Sequence, residues 1–141
     1  MAPEDRRLFR ERALSLIYEA EMKGLTSSAL LEQLPVREEE FVVDLLKLEE
    51  AKRETGDRLI DAAARGWELD RMPVIDLCIL RLATCELLSD SETPHAVIIS
   101  EAVELAKRFS TDSSSKFVNG ILATIKRGAD AEVLQNRSDE A

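Results

Sequence analysis

The sequence predicts an all-α fold of about seven helices. Three observations carry that expectation. Apolar residues recur at helical spacing along nearly the whole chain. Ala, Leu, Glu and Arg, all good helix formers, are common, while aromatic residues make up only 4%. No stretch reads as a strand, and no internal repeat is present.

The first helix is expected over about 4–23, with Gly24 as its stop. Phe9, Ala13, Leu16, Ile17 and Ala20 form its buried stripe. Thr26 or Ser27 can cap a short helix that ends near Pro35. A long helical stretch follows over 38–65, with Gly56 as a candidate break and Gly66 after its end. Trp67 and Leu69 sit in the connection. Pro73 suits the first turn of the next helix, which continues to about Leu88. Its run VIDLCILRLATCELL is apolar almost all round, so it belongs in the middle of the fold. Thr93 is the expected cap of a helix with Pro94 at its first position. Ile98, Ala102, Leu105, Ala106 and Phe109 give that helix one apolar face. The last helix is expected over about 114–127, capped by Asp112 or Ser113. Residues 1–129 thus read as one helical domain, and 130–141 as a polar, disordered tail.

One stretch tests the helical reading. FVNGIL, 117–122, contains Asn-Gly, the strongest short hairpin signal. Phe117, Val118, Ile121, Leu122 and Ile125 nonetheless repeat with helical spacing. Asn119 and Gly120 therefore lie inside a helix, with Asn119 facing away from the core stripe or bonding to a neighbouring segment. A mid-helix glycine costs about 1 kcal/mol against alanine. Close approach of another backbone at Gly120 is the simplest compensation.

Composition narrows function. The chain has 141 residues, the size of one domain, and is 45% hydrophobic, enough for a packed core. No apolar run is long enough to span a membrane, and the charged N-terminus is unlike a signal peptide, which predicts a cytoplasmic protein. Cys78 and Cys85 are seven apart on one helix, roughly 10 Å, too far for a disulfide. They read as small core residues. The single histidine, His95, has no ligand cluster, so no metal is expected. No phosphate loop, dinucleotide fingerprint or nucleophile elbow is present, and Ser113–Ser115 has no histidine nearby. An enzyme is not expected, nor a cofactor.

The net charge of −9 argues against a generic nucleic-acid coat but leaves room for a local basic patch. RRLFRER, 6–12, holds four arginines against one glutamate. On a helical wheel Arg7, Glu11, Leu14 and Tyr18 fall opposite the core stripe, with Arg10 adjacent. Arginines beside an exposed aromatic suit single-stranded RNA: guanidinium groups take phosphates and a ring stacks on a base. An ordinary solvated face, with Tyr18 packed on a neighbour, is the plain alternative. Asp76, Arg81 and Glu86 interrupt the apolar central helix in different directions, and buried charges need partners. Arg81 and Glu86 favour internal partners; Asp76 is open between an internal partner and a bound protein.

Several motifs in order resemble the NusB family of bacterial transcription antitermination factors. They are RRLFRERALSLIYEAE, WELDRM, ILRLATCELL and PHAVIISEAVELAKRFSTDSSSKFVNGIL. Together they span nearly the whole chain to about Ala129. The resemblance implies two packed helical subdomains. It implies binding to boxA RNA, especially in ribosomal RNA leaders, in a heterodimer with NusE, a small-subunit ribosomal protein. The pair would act within the RNA polymerase antitermination complex, without catalysis or cofactor. By position, Arg6, Arg7, Arg10 and Tyr18 match the RNA-contacting helix, with Lys116 and Phe117 bordering the same surface. Asp76, Asp112 and Ser113 match regions facing the protein partner. Some relatives form homodimers that hide the arginine face, and the sequence leaves that open here. Cys85 departs from the tyrosine of many relatives. The acidic net charge implies weak binding to RNA alone, with the basic partner supplying part of the field. The same module also precedes some ribosomal RNA cytosine methyltransferases. This chain ends soon after FVNGIL, which favours the free-standing factor.

Overall fold

The structure is a computed structural model that describes residues 2–140, with side chains over 2–129. Six α-helices and one short 3-10 turn account for the regular structure of the described residues. The expectation of about seven helices is met in class, with the connection near Trp67 forming only the turn Leu69–Arg71.

Helix α1, Pro3–Lys23, begins with Pro3 and two acidic residues, Glu4 and Asp5, which suit the positive end of the helix dipole. It stops at Gly24, whose φ of 67° lies in the left-handed region. Leu25 N–H returns to Ala20 O at 2.8 Å and closes the turn. Thr26 caps α2, Ser27–Gln33, by accepting from Ala29 N–H at 3.1 Å.

Helix α3, Glu40–Ala64, runs unbroken through Gly56. The expected break does not occur because Gly56 is a packing residue. It is buried, and a Cβ there would lie 3.6 Å from both Cys85 Sγ and Thr84 Cγ2. Close approach of α3 to the central helix therefore falls at Gly56. Gly120, where the sequence pointed to such an approach, is exposed, and a Cβ there would meet nothing within 4 Å. Asn119 is exposed, as expected.

Helix α4, Val74–Leu87, is the hub. Every residue from Asp76 to Leu87 is buried. It packs on α1, α3, α5 and α6. Helix α5, His95–Phe109, follows Pro94, and its start carries no side-chain cap, so Thr93 does not have the expected capping role. Helix α6, Asp112–Glu140, begins two residues earlier than expected. Thr111 is its cap: Ser114 N–H donates to Thr111 Oγ1 at 3.0 Å. The sequence favoured Asp112 or Ser113, but both already lie in the first turn. The α6 backbone is helical to Glu140, past the end expected near Arg127, while the side chains of 130–141, the tail expected to be disordered, lie outside the described residues.

One hydrophobic core runs through all six helices, around Leu16, Leu46, Ile60, Ile79, Leu80 and Leu122. Cys78 and Cys85 are free thiols within it. Burial pushes both up to about 12.

Buried charges tie the helices together. Arg81 donates to both carboxylate oxygens of Asp57, at 2.9 and 3.0 Å, and reaches Glu21 at 3.4 Å. Glu49, fully buried, accepts from Arg53 and Ser27. Burial raises its pKa against the opposing pull of Arg53. These bonds link α1, α2, α3 and α4 in one network, and Arg81 has the internal role expected of it.

Candidate nucleic-acid interface

The arginines of α1 divide into three environments. Arg6 is exposed, and its side chain makes no ion pair or hydrogen bond among the described residues. Arg7 is exposed but clasped: its Nε and Nη2 donate to the two carboxylate oxygens of Glu101 on α5, both at 3.0 Å. The Glu101 hydrogen bond and charge raise the Arg7 pKa. Arg10 is buried. It donates to both oxygens of Glu86 on α4, at 2.9 and 3.0 Å, and its guanidinium lies 5.7 Å from the Phe41 ring centroid. Burial works to lower the Arg10 pKa, but the hydrogen bonds and charge of Glu86 outweigh it, and the pKa is raised.

The wheel placed Arg10 beside the open face, and here the structure corrects it. Glu86 projects from the central helix at the height of Arg10 and draws the guanidinium inward. Glu86 accordingly has the internal role expected of it. Leu14, also assigned to the open side, is buried, because α1 is covered on more than one flank.

Tyr18 is 39% exposed. It lines a shallow depression of about 460 Å³ with Leu8, Leu14, Ile75 and Phe109. Two ion pairs frame this depression. Arg12 pairs with Glu38, and Arg108 pairs with Glu11. The open face of α1 is therefore an apolar hollow rimmed by guanidinium groups, most already facing a carboxylate. Exposed pairs of this kind are weak and exchangeable, so a phosphate can replace the carboxylate.

At the start of α6, Lys116 is exposed and has no partner among the described residues. Phe117 is half-buried and packs on Trp67, with ring centroids 5.4 Å apart and planes at 48°. Asp112 and Ser113 are exposed in the first turn. Asp76 is not at the surface with them: it is 2% exposed. Its two oxygens accept from Ser110 Oγ and Ser114 Oγ, each at 2.7 Å. Asp76 thus takes the internal alternative, because the hydroxyls of the α5–α6 connection satisfy its charge. It anchors that connection to the start of α4. Ile75, its neighbour, lines the Tyr18 hollow, so the α1 face and the start of α6 adjoin across the start of α4.

The sequence model of the NusB family matches residues 7–127. The chain belongs to the NusB family. The transcription antitermination protein NusB of Symbiobacterium thermophilum is 40% identical over 137 residues, covering 87% of this chain and 90% of that protein. That of Streptomyces avermitilis is 43% identical over 128 residues, covering 83% and 88%. Among solved structures, NusB of T. maritima superposes with a TM-score of 0.78 at 32% identity, covering 90% of this chain and 92% of that one. The NusB fold is also shared, at a TM-score of 0.77 and 22% identity, with a chain from the complex of antitermination factors NusB and NusE with dsRNA, covering 90% and 99%.

Two features of this NusB-family surface escaped the sequence reading. Trp67 appeared only as a connection residue and the head of the WELDRM motif, with no role of its own, although one tryptophan in so aromatic-poor a chain was a signal. Ser110 and Ser114 of the STDSSS stretch carried no role in that reading. Their hydroxyls, next to a central helix carrying Asp76, were the clue to a buried serine–carboxylate anchor. No group of three or more metal-ligating side chains occurs among the described residues, and no helix among them is long and apolar enough to cross a membrane.

Proposed function

We propose that this NusB-family chain is a transcription antitermination factor that binds boxA RNA jointly with NusE and supports ribosomal RNA transcription. It acts in the cytoplasm within the RNA polymerase antitermination complex, as an adaptor without catalysis or cofactor. Support comes from family membership together with the rimmed face of α1. Arg6 offers an unpaired guanidinium and Arg7 an exchangeable one, and Tyr18 offers an open ring about three turns further along α1.

In this reading Arg6 and Arg7 take phosphates and Tyr18 stacks on a base. Lys116 and Phe117 extend the same surface. Arg10 acts as a positioning residue, fixing the N-terminal half of α1 on α4 through Glu86. NusE docks against the exposed first turn of α6 at Asp112 and Ser113. Asp76 shapes that turn from beneath by holding Ser110 and Ser114. The net charge of −9 sets the mechanism. Repulsion from the protein's own acidic surface weakens binding to RNA alone, and a basic partner supplies the missing field. A homodimer covering the α1 face would compete with RNA.

The test is salt dependence. Arg6→Ala and Arg7→Ala should each weaken boxA RNA binding and flatten the plot of log affinity against log salt by about one unit per lost phosphate contact. Wild-type slopes in both variants would place the RNA elsewhere.

A further inference from the structure

We propose that Trp67, braced by Phe117 and flanked by Arg65 and Lys116, is a stacking shelf for an unpaired RNA base. It would carry the RNA path off α1 and across the start of α6. The inference rests on the RNA-binding function proposed above and deepens it.

Four observations converge on this corner. First, Trp67 is the chain's only tryptophan and is 51% exposed. Half of the side chain faces solvent, so burial alone does not account for a tryptophan here. Second, the ring is held rather than loose. It packs on Phe117 at 5.4 Å, and its backbone N–H donates to Ala64 O at 3.4 Å. One ring face is thus braced while half of the side chain stays open, the arrangement a stacking platform requires.

Third, Arg65 is the one described non-glycine residue with positive φ, at 48°. It ends α3 where glycine is the unstrained choice. Its side chain is exposed and makes no ion pair or hydrogen bond among the described residues. The strain yields no internal contact, but it sets a free guanidinium beside Trp67. Fourth, Arg65, Trp67, Glu68 and Arg71 line an open depression of about 460 Å³.

The charges nearby favour a nucleic acid at a single contact rather than a broad electrostatic bed. Lys116 and Arg65 are free cations. Arg71 pairs with Glu68 at 3.4 Å, and both are exposed. Asp70 and Asp112 are the aspartates nearest in sequence to Arg71 and Lys116. Stacking therefore carries the binding, with Arg65 and Lys116 placed for the flanking phosphates. Continuity decides between RNA and a protein occupant. Phe117, which braces Trp67, lies one helical turn beyond Ser114, and Ser114 bonds Asp76, the neighbour of Ile75 in the Tyr18 hollow. Three of the six residues that line the depression are charged, two of them arginines beside the Trp67 ring, which suits a phosphate next to a stacked base.

Trp67 reports on itself through its fluorescence. The full chain with NusE would be titrated with boxA RNA and with versions extended by a few single-stranded nucleotides at either end. Trp67→Phe provides the background from the partner. The expected result is quenching of Trp67 emission by an extended RNA. Trp67→Ala should then lose roughly five- to hundredfold in affinity for that RNA, and Trp67→Phe much less. Arg65→Gly keeps the left-handed turn while removing the charge, so it folds and should weaken the same RNA a few-fold. Arg6→Ala and Arg7→Ala should weaken short and extended RNAs alike. RNA that binds through Arg6 and Arg7 without quenching Trp67, and equally well to Trp67→Ala and Arg65→Gly, overturns the shelf and leaves the RNA-binding function standing. Quenching by NusE without RNA assigns the corner to protein and also overturns it. Absence of all RNA binding overturns both.

Discussion

Replacing Arg10 with methionine should damage stability before it damages recognition. The Glu86 carboxylate is 4% exposed, and among the described residues its two oxygens accept only from Arg10. Methionine fills much of the arginine stem but supplies no donor. Glu86 would then be a buried charge without a partner, a change that costs about 3–5 kcal/mol. Native domains of this kind are stable by only about 5–15 kcal/mol, so a large share would go. With a urea slope of about 2 kcal/mol per molar, the midpoint should fall by about 2 M, followed by far-ultraviolet circular dichroism. Arg10→Met combined with Glu86→Leu removes both charges and should recover most of the loss. A single variant within 1 kcal/mol of wild type would refute the buried pair. A double variant that is as stable as wild type but has lost RNA binding would show that Arg10 touches RNA, and would refute its positioning role.

The remaining predictions concern the open faces and the core thiols. Glu101→Gln removes the carboxylate that clasps Arg7, so affinity for boxA RNA in the presence of NusE should rise a few-fold at low salt; unchanged or weaker binding by electrophoretic titration would mean that Glu101 does not compete with phosphate. Gly120→Ala should stabilise α6 by about 1 kcal/mol, raising Tm by about 2–4 °C, because an added Cβ meets nothing; a fall in Tm would reveal a constraint at this site. Cys78 and Cys85 should resist an aromatic disulfide reagent in the native state, since burial pushes both thiols up to about 12 and thiolate is the reactive form; both should react at once in denaturant, and rapid native labelling would contradict their burial.

Periodicity carried most of the fold into the sequence. The apolar run of α4 marked the hub because a helix buried all round has no polar face to show. Gly24, Thr26 and Pro73 marked ends because their effects are local. The errors arose where a distant partner decides. Gly56 and Gly120 look alike in sequence, both single glycines in helical stretches, yet only Gly56 meets another helix, and the partner atoms belong to Thr84 and Cys85. Arg10 looks like Arg7 on a wheel. Their fates differ because Glu86 sits in the interior and Glu101 at the surface. Asp76 could have faced a partner, and what turns it inward is a pair of serines more than thirty residues away. The site was legible as residue types on one helix; which of those residues remain free to bind depends on ion pairs that no local pattern encodes.

The most direct test of the proposed function is a titration of labelled boxA RNA with this protein, with and without its cognate NusE, at two salt concentrations. Tight, salt-sensitive binding that emerges mainly when NusE is present is the predicted result. Equal binding with and without NusE would contradict the joint mechanism, and no binding under either condition would contradict the RNA role itself.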